Sequence, residues 1–208
     1  MKVVVTAGPT REHLDPVRFL SNPSTGKMGF AIAEAASKAG YETVRITGPV
    51  TLKTPARLRR IDVVSAREML KFAMSEMTDD SVFIATAAVA DFRPMRCAEK
   101  KLKKASMGSV IRLVKNPDIL KSIRRKYKGA KLVGFAAETN DVLSEASRKC
   151  REKGLEFIVA NDVTLNGAGF GTDTNKVFFV YPNGAVIEQK MMTKKALAKK
   201  IIHAVFHT

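Results

Sequence analysis

The feature that most constrains this chain is an alternation of short, wholly apolar runs with longer stretches of helical periodicity. β-like runs occupy Lys2 to Ala7, Thr43 to Thr47, Ile61 to Ser65, Val82 to Ala87, Val110 to Val114, Leu132 to Ala136 and Phe157 to Ala160. Helices are expected between them over Gly26 to Ala39, Ala66 to Met77, Pro117 to Tyr127 and Val142 to Lys153, where apolar residues recur at helical spacing. A strand that is apolar on both faces needs cover on both, and amphipathic helices between successive strands supply it. The expected fold class is therefore α/β, a doubly wound, mostly parallel, Rossmann-like sheet. Near the end the pattern changes to Lys176 to Tyr181, the turn Pro182-Asn183-Gly184 and Ala185 to Gln189. An Asn-Gly turn between short strands reads as a β-hairpin, and a helix from Thr193 to Phe206 follows it. No repeat or low-complexity linker divides residues 1–208, so a single domain is expected. The lysine-rich stretch from Pro94 to Gly108 reads as a flap that orders on binding.

Composition narrows the partners. Of 208 residues, 45% are hydrophobic and 27% charged, which excludes both a disordered and a coiled-coil chain. The longest apolar stretch, Val82 to Ala90, is about half of the roughly 20 residues a membrane helix needs, so no membrane partner is expected. Met1-Lys2-Val3-Val4-Val5 enters a β-like run without a secretory segment, and a cytoplasmic location is the expectation. Cys97 and Cys150 lack CxxC spacing and read as free thiols. His13, His203 and His207 form no ligand cluster.

Lys and Arg number 36 against 20 Asp and Glu, a net charge of +16. Such basicity fits nucleic acid, an anionic surface or a polyphosphate. The lysines of Lys121 to Lys131 and Lys190 to Lys200 lie in amphipathic stretches and read as solvated helix faces. With few exposed aromatics available for base stacking, a nucleic-acid partner is not expected.

Ligands of such sheets bind at the carboxyl ends of the strands, and four segments there are rich in polar residues and glycine. Thr6-Ala7-Gly8-Pro9-Thr10-Arg11 follows the first strand. It has Gly8 alone where a dinucleotide site needs GxGxxG, and Thr47-Gly48 stands where that site needs an acid. An NADP-linked reductase, for which Arg45 is the one supporting residue, is thereby the weaker reading, and a plain turn also explains the segment. Arg18-Phe19-Leu20-Ser21-Asn22-Pro23-Ser24-Thr25-Gly26-Lys27-Met28-Gly29 leads into a helix and suits an anion at its amino terminus, without the spacing of a Walker A loop. Ser24 or Thr25 as a cap would account for the hydroxyls, but not for Arg18 and Asn22 together. Thr86-Ala87-Ala88-Val89-Ala90-Asp91 precedes Lys100-Lys101-Leu102-Lys103-Lys104: the carboxylate can hold a metal or a base's amino group, and the lysines phosphate charge. A turn residue and an exposed loop are the plainer alternatives. Lys115-Asn116-Pro117-Asp118-Ile119-Leu120, Gly134-Phe135-Ala136-Ala137-Glu138-Thr139 and Ala160-Asn161-Asp162 are individually weak, and Asn116 or Asp118 can be simple capping.

In order along the chain, TAGPTRExxDPVRFLSNxSTGKMG, ATAAVADFRP, KLKK, KNPDIL, VGFAAETND and IVANDV closely resemble the phosphopantothenoylcysteine synthetases of coenzyme A biosynthesis. The resemblance runs from about Val3 to Val180. It implies a ligase that joins 4′-phosphopantothenate to L-cysteine through an acyl-cytidylate made from CTP, releasing pyrophosphate and then CMP. It places Ala85, Thr86, Ala87, Asp91, Lys101, Pro117, Asp118, Ile119, Leu120, Phe135, Lys149 and Lys153 at CTP. Lys149 and Lys153, four apart, share a helix face that can address one triphosphate. Arg18, Asn22 and Ala88 fall at the phosphopantothenate. Asn22 and Lys101 are the implied catalytic residues, the amide holding a tetrahedral oxygen and the lysine serving formation of the acyl-cytidylate. The KLKK register selects Lys101 over Lys100. Magnesium is implied as cofactor, with no ligands identified, together with a homodimer whose site lies near the interface. Nothing in the chain resembles the flavin-dependent decarboxylase to which many of these synthetases are fused, so a free-standing synthetase or an excised domain is expected.

Overall fold

The structure is a computed structural model that describes residues 1–56, 58–103, 110–138, 142–162 and 171–207. In chain order its elements are β1 (Lys2–Ala7), β2 (Arg11–His13), β3 (Phe19–Ser21), α1 (Lys27–Lys38), β4 (Glu42–Thr47), β5 (Arg59–Asp62), α2 (Ala66–Glu76), β6 (Val82–Ala85), β7 (Phe92–Pro94), β8 (Leu113–Lys115), α3 (Ile119–Lys126), β9 (Lys131–Glu138), α4 (Val142–Lys153), β10 (Phe157–Asp162), β11 (Thr174–Val180), β12 (Val186–Thr193) and α5 (Lys194–His207). Eight strands form one sheet in the order β12-β11-β10-β9-β6-β1-β4-β5. The six from β10 to β5 are parallel, and the closing hairpin β11–β12 joins antiparallel beside β10.

Strand alternation explains why these runs are apolar throughout. Successive side chains point to opposite faces, so Val3, Val5, Val82, Ile84, Val133, Phe157 and Val159 face one core layer with α1 and α5. Val4, Phe83, Leu132 and Ile158 face the other, with Met69 and Ala73 of α2, Ile123 of α3, and Ala146 and Cys150 of α4. The doubly wound α/β architecture with its carboxyl-terminal hairpin and helix is thus present.

Several boundaries differ from expectation. The run Val110 to Val114 is not a strand of the main sheet. Only Leu113–Lys115 is extended, paired antiparallel with Phe92–Pro94 in a separate ribbon. A second ribbon, β2–β3, lies beside it. Both ribbons are built from three-residue strands, too short for a period of two to register. The strand expected over Ile61 to Ser65 lies at Arg59–Asp62 because Ser65 is taken as the N-cap of α2, in a reciprocal capping box with Glu68. The strand expected to reach Ala87 ends at Ala85. Helix α3 starts two residues after Pro117 because the Asp118 carboxylate caps it, accepting from the Lys121 amide at 3.0 Å. The Pro94–Gly108 stretch falls partly outside the described residues.

Cys97 and Cys150 are both free thiols; Cys150 is buried, and burial pushes its pKa up to about 11. No described helix is long and apolar enough to cross a membrane.

Candidate functional site

The six parallel strands carry the order 3-2-1-4-5-6, which reverses between β1 and β6. Their crossover helices leave to opposite faces there, α1 to one layer and α3 to the other, and a crevice opens above the carboxyl ends. The loops leaving β1 and β6 are stitched together across it. The Ala88 amide donates to the Gly8 carbonyl (2.9 Å), the Thr10 amide to the Ala88 carbonyl (3.3 Å) and the Ala90 amide to the Thr10 hydroxyl (3.0 Å). The Thr86 hydroxyl donates to the Thr6 carbonyl.

Two adjoining cavities line this crevice. The first, about 380 Å³, takes Asn22, Thr86, Ala87, Ala88, Asp91, Phe135 and Lys149 among the expected residues. The second, about 250 Å³, takes Ala85, Ala87, Asp91, Pro117, Asp118, Ile119, Leu120, Phe135 and Lys153. Ala87, Val89, Asp91 and Phe135 belong to both walls. Lys149 and Lys153 therefore serve different chambers of one crevice. Arg18 and Lys101 line neither.

The first cavity is built for negative charge. Gly26 stands at the N-cap of α1 with φ +78° and no side-chain cap, so the first amides of the helix remain available to a ligand. Ser24, which with Thr25 is the plainer alternative as a cap, accepts from the Gly26 amide at 3.4 Å. Among the described residues, Lys27, Lys149 and Lys194 line the same wall against one carboxylate, Asp91. The Asn22 amide bridges the crevice, its Nδ2 donating to the Ala88 and Val89 carbonyls at 3.3 and 3.4 Å. Asn161 Oδ1 on the same wall is buried without a hydrogen-bond partner among the described residues, an acceptor open to a ligand donor.

In the second cavity Lys153 Nζ lies 2.9 Å from Asp118 Oδ2. Burial opposes charge on Asp118, but the Lys153 ammonium and the Lys121 amide outweigh it and hold the carboxyl below its ordinary range. Asn116 fixes the neighbouring loop. Its side chain donates to the Ala90 carbonyl at 2.8 Å and its backbone amide to the Asp91 carbonyl at 2.7 Å.

Arg18 and Lys101 meet elsewhere. Arg18 Nε donates to the fully buried Asp15 at 3.0 Å and its Nη2 to the Leu102 carbonyl at 2.8 Å, while the Leu102 amide donates back to Asp15 at 3.1 Å. The Arg18 guanidinium, against the opposing cost of burial, holds the Asp15 carboxyl well below the usual carboxylate range. Lys101 sits exposed on this tethered segment, next to the crevice in sequence but outside its walls.

Asn175 and Lys194 line the first cavity, and no strand-end motif marks either. Lys194 falls within the stretch read as a solvated helix face, yet it is 6% exposed. The signal was its spacing: Lys194, Leu197, Ala198, Ile201, Ile202 and Val205 form one buried stripe, and the lysine heads it.

The family described as "DNA/pantothenate metabolism flavoprotein C-terminal domain" matches residues 1–208. The chain belongs to that family. It is similar to the coenzyme A biosynthesis bifunctional protein CoaBC of Bacillus subtilis (strain 168), 46% identical over 204 residues, which are 98% of this chain and 50% of that protein. It is 42% identical over 209 residues to the CoaBC of Escherichia coli (strain K12), covering 97% of this chain and 52% of the relative. The chain thus spans about half the length of the curated relatives it matches. Among solved structures, the C-terminal domain of a CoaBC protein superposes with a TM-score of 0.80 at 39% identity, covering 97% of this chain and 91% of that one. A Cab2 variant in complex with phosphopantothenate-cysteine shares the fold at a TM-score of 0.80 and 18% identity, covering 98% and 84%.

Proposed function

We propose that this family member is a phosphopantothenate–cysteine ligase that draws on CTP. The observation that carries the reading is the pair of chambers meeting at Ala87, Val89, Asp91 and Phe135, one lined by three lysines and an uncapped helix amino terminus. Two phosphorylated substrates must be brought together there against their mutual repulsion. The similarity to bifunctional coenzyme A biosynthesis proteins supports the same reading.

In the first step a carboxylate oxygen of 4′-phosphopantothenate attacks the α-phosphorus of CTP. The bond to the bridging oxygen breaks and pyrophosphate leaves. In the second, the cysteine amine attacks the acyl carbon, CMP departs with the former carboxylate oxygen, and the amide nitrogen loses its proton. Lys27, Lys149 and the α1 amides neutralise phosphate charge, and Asn22 is placed to donate to the tetrahedral oxygen. Lys101, on the tethered segment outside the two cavities, is assigned the first step by the resemblance. Magnesium fits as a phosphate-bound ion with Asp91 as its protein carboxylate, since Mg²⁺ commonly takes one or two carboxylates beside substrate phosphates. No cluster of three His, Cys, Asp or Glu side chains that could hold a metal ion occurs among the described residues. Bound at Asp91, the ion would withdraw charge from the phosphate oxygens.

The reading extends to a homodimer. Val17, Phe19, Leu20, Phe92, Met95, Val110, Ile111 and Leu113, on or beside the two small ribbons, are all exposed, and β3 runs directly into Asn22. A second copy seated on this apolar patch would lie at the rim of the crevice. A cytoplasmic location belongs to the same proposal.

With 4′-phosphopantothenate, L-cysteine, CTP and Mg²⁺, the protein should release CMP and pyrophosphate in equal amounts; folded protein that releases no pyrophosphate overturns the proposal. ATP offered in competition tests the choice of base. Asn22→Ala should accumulate the acyl-cytidylate and Lys101→Ala should not form it, as followed by rapid-quench chromatography. Identical behaviour of the two variants would refute this division of roles.

A further inference from the structure

A separate cavity, of about 780 Å³, opens where β4 and β5 end beside α2, on the far side of β1 from the crevice. It is larger than either chamber of the crevice, and it lies at the carboxyl edge of the sheet with the volume of a small-molecule site. Val50, Val63 and Phe72 give it an apolar wall, and Arg11, Arg60 and Lys71 line it against Asp62 and Glu68. Both carboxylates are already committed. Asp62 accepts from Arg60 Nε at 2.7 Å, and Glu68 accepts from the Val64 and Ser65 amides at 2.7 and 3.1 Å at the start of α2. Arg11 and Lys71 form an ion pair with no described carboxylate; the Arg11 guanidinium rests 4.6 Å over the Phe19 ring, and the Lys71 ammonium lies 5.9 Å from that of Phe72. The partner of Arg60 across the β4–β5 ladder is another cation, Arg45, 1% exposed. Burial and the Arg60 charge lower its pKa to about 10, against the pull of Asp62 and Glu34. The charge around this cavity is therefore positive and incompletely balanced.

The cavity and the crevice share a wall. Val50 Cγ1 packs so closely on Gly8 and Gly26 that a Cβ added to either would lie 3.0 or 3.3 Å from it. Gly26 is the N-cap of α1, and the Gly8 carbonyl holds the Ala88 amide. Arg11 follows Thr10, which is bonded to Ala88 and Ala90, and its own amide donates to the Val64 carbonyl at 2.8 Å.

We propose that this cavity is a second binding site, one for a small organic anion that lays an apolar body on Val63 and Phe72 and brings its acidic group to Arg11, Arg60 and Lys71, and that Val50 transmits its occupancy to the amino terminus of α1. An apolar wall alone would suit a neutral molecule and exposed cations alone any salt; joined in one concavity they select an acid with a hydrocarbon part. The transmission needs only a displacement of Val50, since Gly8 and Gly26 leave it no gap. Neither half depends on what the crevice binds.

Phenyl phosphate titrated into isotope-labelled protein, with backbone amide chemical shifts as the readout, tests both halves. Saturable shifts of Thr51, Val64 and Lys71 are expected, and phenol, which lacks the charge, should bind about tenfold more weakly or worse. Lys71→Glu, at an exposed position, should weaken phenyl phosphate by about tenfold, while Lys199→Glu, exposed on α5, leaves it unchanged. The absence of saturable shifts at these residues, or a Lys71→Glu affinity within twofold of wild type, overturns the site. In the wild type the Gly26 amide should move with the same midpoint as that of Val64. Val50→Ala should silence Gly26 while Val64 still shifts. A Gly26 amide that does not respond in the wild type, or that still responds in Val50→Ala, overturns the transmission.

Discussion

Gly29 carries no chemistry, yet the crevice depends on it. A Cβ there would lie 2.4 Å from Thr86 Oγ1, 2.6 Å from Ala7 Cβ and 2.9 Å from the Thr6 carbonyl. Only a glycine lets the first turn of α1 rest on the ends of β1 and β6, and that contact aims the helix amides at the cavity. Gly29→Ala should therefore destabilise the protein by about 1–3 kcal/mol, measured by urea unfolding, and weaken ligand binding as the helix lifts. A variant as stable as wild type would show that α1 can shift without cost. Lys194 teaches the reverse lesson at the same scale. Its burial followed from its place on an apolar stripe, but a lysine in a lysine-rich stretch reads as solvated until the partner surface is known.

The loop before the undescribed residues 104–109 is held by its neighbour element rather than by its own sequence. Asp15, in the turn between β2 and β3, receives the Leu102 amide and Arg18, and the Ala98 amide donates to the Leu14 carbonyl at 2.9 Å. A flap beginning at Pro94 is thus fixed as far as Leu102. Because the folded pKa of Asp15 is depressed, its contribution is fully present above the ordinary value near 3.9 and is lost only as pH falls through the folded value below it. Hydrogen exchange, corrected for intrinsic rate, should show the Leu102 amide equally protected from pH 8 to pH 5. Asp15→Asn should expose it throughout that range; protection that fades between pH 8 and pH 5 in the wild type would contradict the tether.

At the scale of the molecule, one exposed apolar surface adjoins the crevice, that of the two ribbons. Their apolar side chains are not needed by either core layer, and on the proposed reading a second copy covers them. Phe92→Asp or Leu113→Asp should turn a dimer into a monomer by light scattering at micromolar concentration, with little change in the melting temperature of the remaining fold. A wild-type monomer, or variants that remain dimeric, would refute the assignment of this patch. Of the residues behind the +16 charge, Lys27, Lys149, Lys153 and Lys194 line the two cavities; the exposed lysines of α3 and of the remainder of α5 line neither.

The sequence by itself determined the layers. Wholly apolar strands between amphipathic helices have few soluble arrangements besides a covered parallel sheet, and the Asn-Gly turn announced the closing hairpin because such turns are local. It also marked most of the cavity walls, since polar and glycine-rich segments cluster at the carboxyl ends of strands. Tertiary structure alone decided which of those walls meet: that Lys149 and Lys153 face different chambers, that Arg18 turns to Asp15, and that Asn175 and Lys194 close the first cavity from the far end of the chain. The physical reason is range. Strand period, helix stripe and turn chemistry act over a few residues, whereas which walls meet around one cavity is decided by packing between elements as far apart in the chain as α1 and α5.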